Sequence, residues 1–460
     1  MIECLKVSCT VLQTFNRSIV TLEEVNVRTK THRPLNSLSN QLTSFTLNKR
    51  KVFNDPVYGF INVSSDLIFD LIEHPYLQRL RRIRQLGLTD LVYPGALHTR
   101  FHHALGAMHL MQNTVDSLRN KGQAITDDEC EALLVAILLH DIGHGPFSHA
   151  LEFVLLPGVG HEYLSRLIIE RLRDQFGGAI SLAYRIFTDH YERRFFHQLV
   201  SSQLDIDRLD YLKRDCFYTG VSEGEIGADR IIKMLDVRDD RIVVEEKGIY
   251  SIENFLNARR LMYWQVYLHK TSVSAEKMLV SAIERAKWLL TQGESVPAPP
   301  PLTLLLMQCI TREELTHRPD YLDEYLQLDD YDIWSALKQW RYHPDRVLAT
   351  LSDRLLARKL FRIELSNEPF PAEKVDTLRG TVTHDLDLEA AEVDYFLMHG
   401  TISNAAYLSG KQKIHILTKQ GKIFDVAQAS DLPNIKAMSR IVKKYYLCWP
   451  KHIAARAGAD

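Results

Sequence analysis

A run of seven consecutive apolar residues, Leu133 to Leu139, constrains the fold of this 460-residue chain more than any other feature. Two acids, Asp127-Asp128, come shortly before the run. Acids suit the positive end of a helix dipole, and a helix that is apolar nearly all round has to be buried. The pattern therefore predicts a central buried helix. We expect Gly143 and Gly145-Pro146 to end it.

Candidate metal ligands stand at the end of this predicted helix. His140 and Asp141 follow the apolar run directly, His103 lies upstream and Asp207 lies downstream. A lone buried histidine is usually an ordinary core residue, but two imidazoles and two carboxylates together suit Mn²⁺, Fe²⁺, Ni²⁺, Co²⁺ or Zn²⁺, and Mg²⁺ less well. On an octahedral ion they leave two positions, one for a phosphate oxygen and one for a water whose pKa the metal lowers. The set predicts a metal-dependent phosphohydrolase with the metal identity open.

Histidines are concentrated around these ligands. The segment from 98 to 161 holds eight of the 19 histidines in the chain, among them His144 and His149 just after the metal-binding pair. His161-Glu162 opens the next predicted helix. Because histidine is the usual proton shuttle near neutral pH, we hypothesise that His161, oriented by Glu162, transfers a proton at the scissile phosphate. The alternative is a solvent-exposed pair at a helix start.

The composition is that of a globular protein without a strong charge bias. Hydrophobic residues make up 45%, charged residues 25%, and the formal net charge is −2, which gives no general attraction to nucleic acid. The six cysteines are scattered, without a C-x-x-C pair, which fits a reducing compartment. No apolar run approaches the ~20 residues that span a bilayer, and no signal-peptide core is evident. We expect a cytoplasmic protein with no membrane partner.

Changes in the sequence pattern along the chain predict three segments. Residues 1–48 are expected to form a poorly ordered N-terminal extension, with a small structured arm as the alternative. Residues 49–292 are expected to form the phosphohydrolase domain, with helices over 161–175, 195–216 and 252–292 and a strand over 241–246. A break rich in proline separates them from a C-terminal α+β region, 293–460. In that region Lys413–Leu417 and Lys422–Val426 carry a hairpin signal.

Several motifs resemble those of the HD-domain dNTP triphosphohydrolases, a group that includes bacterial dNTPases. They are Gln85-Leu86-Gly87, Leu-His98-Thr-Arg100-Phe-His102-His103, the HDIGHGPFSH segment from His140 to His149, Asp205-Ile-Asp207-Arg208-Leu-Asp210-Tyr211, and Tyr267-Leu-His-Lys270. The resemblance covers roughly residues 50–290 and, more weakly, the C-terminal part. It implies a mostly α-helical fold, in which an HD-domain helical core carries small β-hairpins and the α+β C-terminal region.

The resemblance also implies a reaction and a set of roles. Such enzymes hydrolyse a dNTP to the deoxynucleoside and inorganic triphosphate. His103, His140, Asp141 and Asp207 would hold the metal, while His144, His149 and His161 would act near the α-phosphate. The implied substrate-binding residues are Arg100, Arg208 and Arg259 at the triphosphate, and Gln85, Leu86, Tyr211, Asp215 and Tyr267 around the nucleoside. The implied partners are a dNTP and further copies of the chain, in a dimer or tetramer; an allosteric nucleotide is left open.

Two other functions remain as alternatives. The chain could be another HD phosphohydrolase that acts on nucleoside monophosphates, cyclic nucleotides or (p)ppGpp. It could also be a nucleotide sensor or nucleic-acid-binding protein with a vestigial site, although its near-neutral charge and complete ligand set disfavour this. Base preference depends on the shape of the pocket, which the sequence does not determine.

Overall fold

A computed structural model describes residues 51–404, 413–431 and 442–454. The predicted N-terminal extension, residues 1–48, lies outside the described residues. In the described part, helices predominate and the strands form three small sheets, so the predicted fold class is confirmed. No helix in these ranges combines the length and the apolar character needed to cross a membrane.

The described helices are numbered here in chain order, leaving out single 3-10 turns and one π-helical turn. They are α1 (Asp66–Glu73), α2 (Pro75–Arg79), α3 (Arg100–Asn120), α4 (Asp127–Leu139), α5 (Glu152–Leu155), α6 (His161–Phe176), α7 (Gly178–Phe187), α8 (Arg194–Val200), α9 (Ile206–Thr219), α10 (Ala228–Met234), α11 (Ile249–Met262), α12 (Lys270–Thr291), α13 (Pro300–Met307), α14 (Arg312–His317), α15 (Pro319–Tyr325), α16 (Asp330–Trp340), α17 (Arg346–Leu356), α18 (Ala372–Leu386), α19 (Val426–Ala429) and α20 (Lys451–Ala454).

The strands form a hairpin and two further sheets. They are β1 (Val52–Asp55), β2 (Gly59–Asn62), β3 (Leu235–Arg238), β4 (Arg241–Glu245), β5 (Arg362–Ser366), β6 (Met398–Asn404), β7 (His415–Leu417), β8 (Ile423–Asp425) and β9 (Val442–Trp449). The orders are β1-β2, β3-β4-β7-β8 and β5-β9-β6; among the described strands, only β4 and β7 pair in parallel. The predicted strand at 241–246 is β4, and the predicted hairpin is β7-β8.

Helix α4 is the central buried helix that the apolar run predicts. Every residue from Ala132 to Leu139 is buried, and the helix packs against α3 and α7. A capping box starts it: Thr126 accepts the Glu129 backbone N–H, and the Glu129 carboxylate accepts that of Thr126. The helix ends at His140, its C-cap residue. The candidate metal-binding pair, His140 and Asp141, therefore stands where a buried core helix meets a loop.

Two other helices, α3 and α9, begin close to the end of α4. Arg100 is the first residue of α3, which puts His103 in its first turn. Asp205 caps α9 by accepting the Arg208 backbone N–H at 2.8 Å, which puts Asp207 in the first turn of α9. Helices α3 and α9 pack against each other. Three helix ends thus bring the four predicted metal ligands together.

Two of the predicted helices are each two helices in the structure. The stretch 195–216 is divided by residues 201–205, because Asp205 starts a new helix. The stretch 252–292 is divided by a π-helical turn, Tyr263–Tyr267, after which His269 caps α12 by accepting the Thr271 N–H. Single π turns are frequent at functional sites. The domain boundary predicted near residue 292 falls between α12 and α13, and it stays a prediction.

Candidate active site

The predicted metal ligands meet where α3, α4 and α9 converge. His103 Nε2 lies 3.1 Å from Asp207 Oδ1, and His140 Nε2 lies 3.4 Å from the same oxygen. One ligand atom from each of these three residues lies within 4.8 Å of the others. Two ligands at right angles, each about 2.1 Å from an ion, are about 3.0 Å apart. The spacing therefore suits a single ion.

Hydrogen bonds from Nδ1 fix both histidine rings. His103 Nδ1 donates to Asp210 Oδ2 at 2.7 Å, and His140 Nδ1 donates to the Ile137 carbonyl oxygen at 2.7 Å. Such bonds set the tautomer that leaves Nε2 as a metal ligand. Both Nε2 atoms are buried, and neither has a hydrogen-bond partner within the described ranges. Because an unpaired buried polar atom is unfavourable, a bound cation fits these atoms.

Buried carboxylates place negative charge next to His103 and His140. Burial by itself lowers the pKa of His103, but the close carboxylates of Asp207 and Asp210 raise it to about 10. The pKa of His140 is likewise raised: burial is the largest single effect and lowers it, but Asp141 and Asp207 together outweigh burial. Burial alone would raise the pKa of Asp207, yet its close contacts with His103 and His140 hold it far below the usual value. These shifts show that the site favours positive charge. A divalent cation would supply that charge by displacing the protons on the two Nε2 atoms.

Asp141 lies beside the group with its two oxygens in different contacts. Oδ1 lies 3.5 Å from His140 Nε2 and 3.5 Å from His144 Nε2. Oδ2 accepts a hydrogen bond from the Arg100 guanidinium and lies 3.9 Å from His103 Nε2. Oδ1 is therefore the oxygen available to a metal, and Asp141 is the fourth candidate ligand.

His144, His149 and His161 form a second group, called here the histidine cluster. The rings of His144 and His161 stack with centroids 3.8 Å apart. His161 Nδ1 donates to Glu152 Oε1 at 2.6 Å, and His149 Nδ1 donates to Glu152 Oε2 at 3.0 Å. Burial and the nearby Arg100 charge hold the pKa of His144 well below its usual value. One carboxylate thus orients two of the three rings.

This geometry corrects the sequence hypothesis about Glu162. The hydrogen-bond partner of His161 is Glu152, nine residues upstream, and not its neighbour Glu162. Adjacent residues of a helix do not face each other, which is why the neighbour cannot take this role. Glu162 lines the same cavity as His161. The only sequence signal for Glu152 was its three-residue spacing from His149.

A cavity of about 1050 Å³ opens over both groups. Its lining includes His140, Asp141, Asp207 and the whole histidine cluster. Seven residues predicted to contact substrate also line it: Gln85, Leu86, Arg100, Arg208, Tyr211, Asp215 and Tyr267. Arg259, the eighth, is not among the lining residues; it is buried and donates to Gln203 Oε1 at 3.1 Å.

Cations in the cavity wall are held in different ways. Arg100 donates to Asp141 and, at 2.8 Å, to Ser148 Oγ. Arg208 pairs with Asp205, the cap of its own helix. Sequence reasoning missed a third cation, Arg166, which is exposed, lines the cavity and forms no ion pair with any described carboxylate. The first two are oriented by these bonds, whereas the Arg166 guanidinium lies over the Tyr163 ring, 4.9 Å from its centroid.

The far end of the cavity is aromatic and acidic. Tyr267 donates its hydroxyl to Asp215 Oδ2 at 2.8 Å, and buried His98 donates to Asp215 Oδ1 at 2.6 Å. Burial, more than the Asp215 charge, raises the pKa of Tyr267 well above its usual value, so its hydroxyl stays protonated. Gln85 Oε1 is buried and has no hydrogen-bond partner in the described part of the chain. This end offers a flat ring, a carboxylate and an unpaired amide oxygen.

Comparisons with known proteins agree with this architecture. Family models match residues 100–215 as an HD domain and residues 226–295 as an HD associated region. Protein YwfO of Bacillus subtilis is 34% identical over 88% of this chain and 94% of its own length. The chain belongs to the family of HD-domain phosphohydrolases. A solved HD-family relative, a phosphohydrolase from Bacteroides thetaiotaomicron, superposes with a TM-score of 0.84 at 53% identity and covers 87% of this chain and 99% of its own.

Named dNTP triphosphohydrolases are also among the relatives of this HD-domain protein. The SAMHD1 homolog of Dictyostelium discoideum, described as a deoxynucleoside triphosphate triphosphohydrolase, is 30% identical over 66% of each chain. SAMHD1 of Gallus gallus is 31% identical over 54% of this chain and 47% of its own length. The similarity therefore covers about half of the chicken protein.

The four candidate ligands His103, His140, Asp141 and Asp207, called here the metal group, generate a first prediction. Replacing Asp207 with Asn should lower bound metal at least about tenfold, because it removes the carboxylate nearest to both Nε2 atoms. Metal per chain is measured by plasma mass spectrometry after desalting. Asp174→Asn, on a side chain that is 77% exposed, serves as the control. Equal metal content in the two variants would exclude Asp207 as a ligand.

The histidine cluster generates a second prediction, which compares two glutamates. Glu152→Gln should lower turnover about 10- to 100-fold with bound metal unchanged, because it removes the charged acceptor that orients His149 and His161. Glu162→Gln, in the same cavity, should have a much smaller effect. Initial rates and metal content are measured for both proteins. A larger loss in Glu162→Gln would restore the original assignment.

Proposed function

We propose that this HD-domain protein is a divalent-metal-dependent dNTP triphosphohydrolase. The observation that carries the proposal is one cavity that joins the metal group and the histidine cluster to the end formed by Tyr267 and Asp215. Phosphate chemistry at one end and a flat ring beside a carboxylate at the other suit a nucleotide. The SAMHD1 relatives, whose names describe this activity, support the same substrate class.

The reaction is addition of water to the α-phosphorus with cleavage of the bond to the 5′ oxygen. The products are the deoxynucleoside and inorganic triphosphate, and the 5′ oxygen leaves with a proton. A metal held by His103, His140, Asp141 and Asp207 would polarise a phosphate oxygen and lower the pKa of the attacking water. The two imidazoles and two carboxylates suit Mn²⁺, Fe²⁺, Ni²⁺, Co²⁺ or Zn²⁺, and Mg²⁺ less well.

We assign proton transfer to His161. Its Nδ1 is occupied by Glu152, which leaves Nε2 to give a proton to the 5′ oxygen. His144 stacks on His161 and has a lowered pKa, so it remains neutral beside it. Because His144 is neutral, it does not compete with His161 for the negative charge of Glu152. His149, the other partner of Glu152, completes the cluster.

Arginines would bind the triphosphate tail. Guanidinium groups bind phosphate bidentately and keep their charge. Arg100 and Arg208 are already held by internal carboxylates, so they lose little conformational freedom when the tail binds. Arg166 is added to the two that the sequence suggested. Arg259 is given no direct contact, since it does not line the cavity.

The sugar would lie against Tyr267. Its ring, held by the hydroxyl bond to Asp215, leaves little room for a 2′-hydroxyl group. Gln85 and Leu86 line the cavity as well and are assigned to the nucleoside. Tyr211, with its ring centroid 6.0 Å from that of Tyr267 and edge-on to it, is assigned to the same end. As in the sequence analysis, a homo-oligomer of two or four copies belongs to the proposal, and an allosteric nucleotide stays open.

Product analysis tests the proposed function. Purified protein is incubated with each dNTP and Mn²⁺ or Mg²⁺, singly and in mixtures, and the products are separated by anion exchange. We expect deoxynucleoside plus intact triphosphate, absent from Asp207→Asn. Turnover only in mixtures would indicate an activating nucleotide. Release of pyrophosphate or single phosphates, or turnover only of monophosphates, cyclic nucleotides or (p)ppGpp, would contradict the proposal.

A further prediction concerns selection of the sugar. Tyr267→Ala should raise the rate on ribonucleoside triphosphates relative to dNTPs at least about tenfold, because it removes the ring that excludes the 2′-hydroxyl group. Specificity constants are measured for paired ribo and deoxy substrates. Tyr184→Ala, which changes another tyrosine of the cavity wall, is the control. An unchanged ratio in Tyr267→Ala would exclude this role.

A further inference from the structure

Two residues of the loop that follows the metal-binding pair have a left-handed backbone. Phe147 has φ 54° and Ser148 has φ 52°. Residues other than glycine rarely adopt this conformation, and it persists where the surrounding structure holds it. Ser148 accepts from Arg100 Nε at 2.8 Å and precedes His149 of the histidine cluster. Contacts from the surrounding structure must therefore hold this loop in its left-handed conformation.

The side chain that holds it comes from far along the chain. Asp330 is the first residue of α16, and its Oδ1 accepts the Phe147 backbone N–H at 2.7 Å. Its Oδ2 accepts the Arg84 backbone N–H at 2.8 Å. Asp330 is only 3% exposed. One turn later on α16, Trp334 packs edge-on against the Phe147 ring with centroids 5.5 Å apart.

The two N–H groups that Asp330 binds belong to different walls of the cavity. Phe147 leads into Ser148 and His149, on the wall that carries the histidine cluster. Arg84 leads into Gln85, which lines the cavity and is assigned to the nucleoside in the proposed function. The Ser148 hydroxyl also donates to the Arg84 carbonyl oxygen at 3.1 Å, so the walls touch at this point. The Asp330 carboxylate and this bond together fix the two walls relative to each other.

We infer that Asp330 is a positioning residue for the phosphohydrolase site, which it serves by locking the loop 143–148 to the wall at Arg84. The inference rests on the proposed function only for its kinetic readout. Asp330 belongs to the predicted C-terminal region and touches none of the candidate metal ligands. It acts through the backbone of residues that do line the site.

A second residue of that region holds the start of the same loop. Tyr325, the last residue of α15, donates its hydroxyl to the Gly143 carbonyl oxygen at 2.9 Å. A Cβ at Gly145 would lie 2.5 Å from the same hydroxyl oxygen. Glycine is therefore needed at 145 because Tyr325 approaches so closely. Residues 325 and 330 together contact the loop near both of its ends.

The contact depends on a carboxylate. Two backbone N–H groups need two acceptor oxygens, and an aspartate provides both. An asparagine in place of Asp330 would keep one oxygen but would turn an NH₂ group toward the other N–H, so that one bond is lost and two donors face each other. Burial raises the pKa of Asp330 to about 6, although the N–H groups of Arg84 and Phe147 oppose the rise. The group is therefore mainly ionised at pH 7.5.

The test compares Asp330→Asn with Asp332→Asn. Asp332 lies in the same helix turn and caps it by accepting the Asp329 N–H, without contacting the loop. We expect kcat per bound metal to fall about 10- to 100-fold in Asp330→Asn and to stay within about twofold in the control. Amide exchange in peptides covering 143–149 should accelerate only in Asp330→Asn. Bound metal should match the unmodified protein in both variants.

A second variant addresses the case in which Asp330→Asn folds poorly. Tyr325→Phe deletes one hydroxyl group, and it should accelerate exchange near Gly143 and lower kcat by a smaller factor. Unchanged amide exchange in both Asp330→Asn and Tyr325→Phe would overturn the inference. A fall in kcat that is merely proportional to the loss of folded protein would also overturn it. If no dNTP is hydrolysed by the unmodified chain, the proposed function fails, and the exchange measurement still decides the role of Asp330.

Discussion

A carboxylate with no exposed surface, Asp210, connects the metal group to the rest of the fold. Its Oδ2 accepts from His103 Nδ1 at 2.7 Å and from Arg214 Nε at 2.9 Å, and its Oδ1 accepts from the same guanidinium at 3.0 Å. Arg214 also donates to Asp55 on β1 at 2.7 Å. The pKa of Asp210 falls to about 2, since Arg214 and His103 outweigh burial. Breaking such a buried network is costly, so the orientation of His103 is coupled to the stability of the core.

The same network explains why α3 and α9 lie so close together. A Cβ on Gly106 of α3 would stand 2.0 Å from the Arg214 guanidinium and 2.1 Å from the Asp210 carboxylate. Glycine within a helix is unfavourable by about 1 kcal/mol relative to alanine. Here it admits the ion pair of α9, and that ion pair in turn fixes the ligand ring. Gly106 therefore weakens α3 locally but allows the contacts that fix His103, a candidate metal ligand.

Local patterns in the sequence predicted those structural features that depend on residues close together along the chain. The apolar run and its end at His140 follow from side chains within one helix, whereas the cap at Asp205 that starts α9 was missed and the stretch 195–216 was predicted as one helix. Glu152 was missed because the loop between α5 and α6 decides which acid reaches His161. The π turn at Tyr263–Tyr267 was missed because periodicity alone does not distinguish a π-helical turn from a regular helix. Asp330 could not be inferred at all, since it contacts a backbone 183 residues away.

Contacts from the C-terminal region indicate that the geometry of the candidate site depends on residues outside the HD-domain match. The HD-domain match ends at residue 215, yet Tyr325 and Asp330 hold the loop that carries His144. A loop with two left-handed residues would gain conformational freedom without them, and the histidine cluster would lose its fixed geometry. YwfO matches this chain over 94% of its own length, well beyond the HD core. Similarity over that whole length is what one expects if the loop that carries His144 and the region that holds it were retained together.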